Sequence, residues 1–356
     1  MKKFILIICE ITLSLLFGIV LGNLILPIEI PEKTDALKEL NPIDLTLNEN
    51  YLSDFNFEEE LALETLSPYT GNILNDSTLK QIPFMCIIEN SKEARPQSGL
   101  SEADIIYETL AEGGIPRFLA LFFEKSPDKI GPIRSVRPYF LELAREYNLP
   151  FAHCGGSFEA LDKISKDSTL KSINEIKNGV AFWRDTERKA PHNLYTSSYN
   201  IRKFILDKKI TYSKENLLNF KDNALLTTSN YIKEANLKLS DYYETSYKYV
   251  DGFYEKYMDN ELAIDKNTNM PLKFKNVVIQ LTSMNLQNDN LHLNIDLIGK
   301  GHGYLLSNGR IEKITWEKNN PKEKTILKDQ KGDLIYLSRG NTIWNIVHKD
   351  SKIFFK

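Results

Sequence analysis

The sequence predicts an α+β protein: a mixed-sheet N-terminal module with helices, then a smaller, mostly antiparallel β module, behind an N-terminal transmembrane helix. Three observations carry this. The length of 356 residues exceeds one usual domain of roughly 100–200 residues. Strand-like and helix-like runs alternate irregularly up to about residue 220, and short alternating strands replace them afterwards. A long apolar run opens the chain.

That run follows Met1-Lys2-Lys3 and occupies residues 4–26, interrupted by Glu10 and a few small polar residues. About 20 apolar residues cross a hydrocarbon core of about 30 Å, so it is long enough to span. Lys2 and Lys3 lie before it and Glu29 and Glu32 after it, so the positive-inside bias places the rest of the chain outside. The expectation is a single-pass cell-membrane protein, anchored by residues 1–27, with its C-terminal part extracytoplasmic. A cleaved signal and a lipidated cysteine are the rival readings. Val20-Leu21-Gly22 departs from the small-residue cleavage pattern, and Ile8 stands where a lipidated Cys9 requires a small residue.

Residues 28–80 are acidic, contain Glu58-Glu59-Glu60 and three prolines, and lack strong periodicity, which predicts a solvated stalk. The first module is placed at residues 81–225. Pro83-Phe84-Met85-Cys86-Ile87-Ile88 reads as a buried strand. Runs 103–110 and 117–124 read as a hairpin joined by Glu112-Gly113-Gly114-Ile115-Pro116. Val136, Phe140, Leu143 and Ala144 space an amphipathic helix over 135–147, with a serine near its N-cap. A strand over 149–154, a helix from Ser157 and a last helix from Ser197 or Ser198 to Asp207 complete the module.

The second module is placed at residues 226–356. Tyr242, Tyr243, Tyr247, Tyr249, Phe253, Tyr254 and Tyr257 read as sheet packing. Strands follow at 276–281, 291–298 and 303–306. Ser307-Asn308-Gly309-Arg310 is a hairpin turn built on the preferred Asn-Gly pair. Runs 333–337 and 342–347 end the series. Gly299-Lys300-Gly301-His302-Gly303 reads as a tight β connection, since the order of a phosphate-cradling loop and its helix are missing.

Formal net charge is −3, from 45 basic and 48 acidic residues, so no global basic field favours nucleic acid. The three cysteines make no disulfide framework, and Cys86 and Cys154, the two outside the apolar run, read as small hydrophobes. No CxxC spacing occurs, and neither a metal nor another cofactor is expected.

Several segments resemble the YerB-like family of bacterial membrane-associated proteins, a family of domains of unknown function. They are IIENSKEARPQSGLSEADIIYETLAEGGIPRFLALF, KIGPIRSVRPYFLELAREYN, HCGGS and RKAPHNLYTS, then FKNVVIQL, LIGKGHGYLLSNGRIEKITWEK and GNTIWNIV. The resemblance implies a two-part ectodomain and carries no established activity. Family members are often lipoproteins, and this chain departs from that pattern by lacking a matching lipidation cysteine.

Candidate ligand-binding residues cluster beside turns: Glu89, Asn90, Arg95, Arg117, Arg134, Arg137, His153, Arg184, His192 and Asn193. Arginines near strand ends and helix starts favour a phosphate or carboxylate, so the expected partner is an anionic envelope ligand or protein. Opposed to this stands a structural network in which the arginines pair with Glu89, Glu102, Glu108 and Glu112. Another class is an envelope hydrolase or transferase. There His153 acts as base for Ser157 or Cys154, oriented by Asp185 or Glu159. Neighbouring strand residues face opposite ways, however, and Ser157 suits a helix N-cap. A third class is a scaffold that docks other membrane proteins through the β module.

Overall fold

The computed structural model describes residues 65–215, 218–222, 224 and 230–356. The expected anchor at 4–26 and most of the stretch 28–80 lie outside these residues. Among the described residues no helix is long and apolar enough to cross a membrane.

Counting strands of three residues or more, β1 (Phe84–Glu89) is buried along its whole length. Its side chains divide by alternate positions, as a strand buried on both faces requires. Phe84, Cys86 and Ile88 join one apolar cluster, and Met85 and Ile87 join another. β2 (Ile105–Leu110) and β3 (Pro116–Phe122) form the expected hairpin, and β3 pairs antiparallel with β1. β4 (Phe151–His153) and β5 (Ser172–Asn174) continue the sheet in parallel beyond β1.

Strands from beyond residue 225 extend the same sheet. They are β9 (Asn276–Thr282), β12 (Gly299–Ser307), β13 (Arg310–Lys318), β14 (Ile326–Lys328) and β15 (Thr342–His348). The order is β14-β13-β12-β9-β15-β2-β3-β1-β4-β5, with the short strand Asn230–Tyr231 beside β13. β15 lies parallel to both β9 and β2, so one strand joins the two halves. A second sheet carries β6 (Glu234–Lys238), β7 (Glu244–Val250), β8 (Phe253–Met258) and β16 (Ile353–Phe355). Between the sheets' strands in sequence, β10 (Met284–Leu286) and β11 (Leu293–Ile295) make a separate two-stranded ribbon.

Apolar clusters lie on both faces of the main sheet. On one, Tyr243, Tyr247, Tyr254 and Met258 of the second sheet share a cluster with Phe118, Ala120 and Ile343. On the other, α2 (Pro138–Tyr147) buries Phe140, Leu141, Leu143 and Ala144 with Leu119, Leu121 and Trp344. The helix α1 (Asp76–Leu79) precedes β1, α3 (Phe158–Lys166) joins β4 to β5, and α4 (Ser198–Asp207) ends the helical series.

Four local expectations change. The N-cap of α2 is Arg137, not a serine, and Pro138 occupies the first helical position, where a missing N–H costs no bond. The glycines at 299–303 lie within β12 and do not make a tight connection. A Cβ on Gly303 would stand 2.2 Å from the Ile279 carbonyl oxygen of the adjacent strand, so close strand approach explains that glycine. The runs at 291–298 and 333–337 shrink to β11 and to Leu337–Ser338. Folded structure also reaches upstream of residue 81: Tyr69 is 1% exposed and packs edge-on against Phe123 at 5.4 Å.

Candidate functional site

The site begins where β1 and β4 end. Both are parallel, and residues 130–136 run beside their carboxyl ends, the usual place for a binding crevice in such sheets. Glu89 N–H donates to Pro132 O at 2.9 Å, Arg134 N–H to Ile87 O at 2.9 Å, and Cys154 N–H to Arg134 O at 3.0 Å. A parallel bridge then joins Val136 to Gly156. A Cβ on Gly156 would stand 2.8 Å from Val136 Cγ1, so glycine permits this approach. The bridge brings the start of α2 beside the start of α3. Ser157 caps α3, its Oγ accepting from Ala160 N–H at 3.3 Å, as its position before the helical run implied. Two helix N-termini, each the positive end of its dipole, therefore lie together.

Three guanidinium groups and two carboxylates surround these helix starts, and a third carboxylate, Glu159 in the first turn of α3, pairs with Lys163. Glu112 binds Arg117 at 2.8 Å and also pairs with Arg137 Nε. Glu89, nearly buried, holds Arg134 at 3.0 Å and His192 Nδ1 at 3.0 Å, and accepts from Ser91 Oγ at 3.1 Å. Strand register sets Glu89 directly opposite Arg117. Burial pushes the Arg117 pKa down, and the nearby charges of Arg137 and Arg134 act the same way against Glu112. Burial raises the Glu112 pKa, but the Arg137 hydrogen bond and the two guanidinium charges outweigh it and lower the net value. Arg117 also donates to Ser135 O at 2.9 Å and Arg137 to Val136 O at 2.7 Å, which fixes both side chains along the connecting segment.

His192 reaches Glu89 from the loop between the two-residue strands Trp183–Arg184 and Leu194–Tyr195. Arg184 and Asn193 flank that loop, bonded to each other at 3.2 Å, and Arg184 lies 3.6 Å from Glu175. Arg188, in the same loop, donates to Glu93 O and Pro96 O.

Asn90 and Arg95 belong to a different network, between the two sheets. Arg95 pairs with Asp259 at 2.7 Å and donates to Asn90 Oδ1 at 3.1 Å. Asn90 Nδ2 donates to Glu108 at 3.2 Å. Glu108 in turn pairs with Lys256 at 2.7 Å, both side chains being 0% exposed. Tyr243 OH donates to Glu108 at 2.5 Å, and Lys256 Nζ donates to Thr245 Oγ1 at 2.5 Å. Arg95 also lines two clefts of about 580 and 600 Å³. Sequence reasoning missed Lys256, because its pairing with β2 arises only when the sheets stack.

His153, the base considered above, is buried with both ring nitrogens hydrogen-bonded. Its Nδ1 lies 2.7 Å from Gly155 O and its Nε2 2.7 Å from Ser172 Oγ. A carbonyl only accepts, so Nδ1 carries the proton and Nε2 accepts the serine hydroxyl. Burial pushes the His153 pKa down to about 4. Cys154 Sγ donates to Glu175 at 3.2 Å, Asp185 pairs with Lys129, and Glu159 pairs with Lys163 at 3.0 Å. The nucleophile, base and orienting acid of the hydrolase reading are thus all bound elsewhere. Among the described residues no group of three or more His, Cys, Asp or Glu is placed to hold a metal.

The loops that build this end of the sheet are the segments that made the N-terminal half recognisable. Residues 69–211 match the family described as "Protein of unknown function (DUF3048) N-terminal domain", and residues 234–344 match the corresponding C-terminal domain. The chain belongs to this YerB-like family. "Putative lipoprotein YerB" of Bacillus subtilis (strain 168) is 31% identical over 299 residues, covering 81% of this chain and 88% of the relative. The crystal structure of the YerB protein from Bacillus subtilis superposes with a TM-score of 0.73 at 30% identity. It covers 82% of this chain and 99% of the crystallised one. β15 spans the edge of the second match, so the two family segments meet inside one continuous sheet.

Proposed function

We propose that this is a membrane-held envelope protein that binds an anionic group, on a polymer, peptide or partner, at the paired starts of α2 and α3. The carrying observation is the set of guanidinium groups there: Arg117, Arg134 and Arg137 meet Glu89 and Glu112 beside two helix N-termini, while Glu159 in the first turn of α3 is paired with Lys163. Guanidinium groups with backbone N–H groups at a helix start recognise phosphate or carboxylate oxygens. Part of each guanidinium is committed to a carboxylate, so binding exchanges one acceptor for another and places no new charge in an apolar interior. Attachment to the membrane is supported by the apolar run at residues 4–26 and by the lipoprotein description of the Bacillus relative.

Calorimetric titration of residues 63–356 with inorganic pyrophosphate and with anionic envelope fragments tests the reading. An Arg134→Ala, Arg137→Ala variant should bind at least ~10-fold more weakly, from the loss of charge-assisted hydrogen bonds. Unchanged affinity in a variant with native circular dichroism would sink it.

A further inference from the structure

Among the described residues the ribbon β10–β11 joins no other sheet. Its base is seated, with Met284 and Leu297 buried and Ile295 packed on the cluster beneath α2, and on the β11 side Leu293, opposite Leu286, packs there too. Its tip is not, since Leu286 is 58% and Leu291 51% exposed. Polar side chains carry the tip to the paired helix starts. Gln287 Nε2 donates to Glu159 Oε2 at 3.1 Å, in the first turn of α3. His292 Nε2 stands 3.6 Å from Glu112 Oε1, on the carboxylate that Arg117 and Arg137 share. Asp289 accepts from the Leu291 and His292 N–H groups and lies 2.5 Å from His292 Nδ1, which shapes the tip and orients the ring.

We propose that this ribbon is the movable outer wall of the anion site, lifting to admit a ligand and closing with His292 toward it. The inference rests on the anion-binding reading and adds to it that both family segments build the site. The base provides a hinge because its apolar residues stay packed. The tip is free to move because part-exposed polar contacts are individually weak and exchange readily with water. An anion arriving between Arg117 and Arg137 competes with Glu112, the group His292 faces, so occupancy and ribbon position are coupled through one carboxylate.

Amide hydrogen exchange on the full chain, paired with calorimetry, tests this. In the unaltered protein the amides of 286–292 should exchange at least ~10-fold faster than those of β9 and β12. A Glu159→Ala, Gln287→Ala variant should speed the tip by roughly another 5-fold and leave β9 and β12 unchanged. Saturating pyrophosphate should slow it. Tip amides protected as strongly as β9, or unmoved by the double substitution, would show a fixed wall and overturn the proposal. Pyrophosphate that binds by calorimetry without slowing the tip overturns the wall's role while leaving the anion site standing. Absence of binding overturns both.

Discussion

Replacing Lys256 with methionine leaves the Glu108 carboxylate buried without its counter-charge. The side chains of Glu108 and Lys256 are both 0% exposed, and the pair links β2 of the main sheet to β8 of the second. After the substitution Glu108 keeps two neutral donors, Tyr243 OH at 2.5 Å and Asn90 Nδ2 at 3.2 Å. Thr245 Oγ1 and Tyr247 OH lose a donor as well. Breaking a buried pair from one side costs about 3–5 kcal/mol, because the stranded charge has lost its solvation and its partner. Adding Glu108→Gln removes the charge while keeping an oxygen for Tyr243 and Asn90. The double variant should therefore recover most of the loss, leaving a deficit of about 1–2 kcal/mol. Urea denaturation followed by circular dichroism and fluorescence measures all corners of this cycle. A Lys256→Met cost below about 1 kcal/mol, or a double variant worse than either single one, would refute the reasoning.

Two further outcomes are expected. His153 is held neutral, with its pKa lowered by burial from the ordinary 6.5 to about 4. The unfolded chain therefore binds more protons between those values, and stability present above pH 6.5 is lost as pH falls toward 4. The loss is about 3 kcal/mol, and urea midpoints of a His153→Gln variant should show a flatter slope in that window. An equal slope would assign the acid sensitivity to other groups. Gly303→Ala should destabilise by about 1–3 kcal/mol in thermal melts, because its Cβ meets the rigid Ile279 backbone. Gly113→Ala should cost only about 1 kcal/mol: its φ of 66° is strained for alanine, but no described residue lies within 4 Å of the added Cβ. Equal costs would mean that strand proximity does not govern position 303.

Much of the fold was legible because it rests on local periodicity. The buried strand β1, the Gly-Gly hairpin, the Ser157 cap and the Asn-Gly turn at 308–309 are all decided within a few residues. The candidate site was legible in part. Glu89, Arg117, Arg134, Arg137 and His192 do meet at one end of the sheet. Asn90 and Arg95 face the second sheet, and His153 is sealed below the surface. The burial of His153 was not legible, because the segment His153-Cys154-Gly155-Gly156 has the same sequence whether the ring meets solvent or the neighbouring Ser172. His292 and Gln287 went unnoticed because more than a hundred residues separate them from Glu112 and Glu159.

Composition and local pattern by themselves determined the class, the strand-rich second half and the charged turns. These follow from side-chain periodicity and backbone preference, which act over a few residues. Tertiary structure alone decided that β15 inserts beside β2, that Glu108 finds Lys256, and that a distant ribbon reaches the helix starts. Each of those depends on which buried surfaces stack, and stacking energy is shared among residues far apart in the chain.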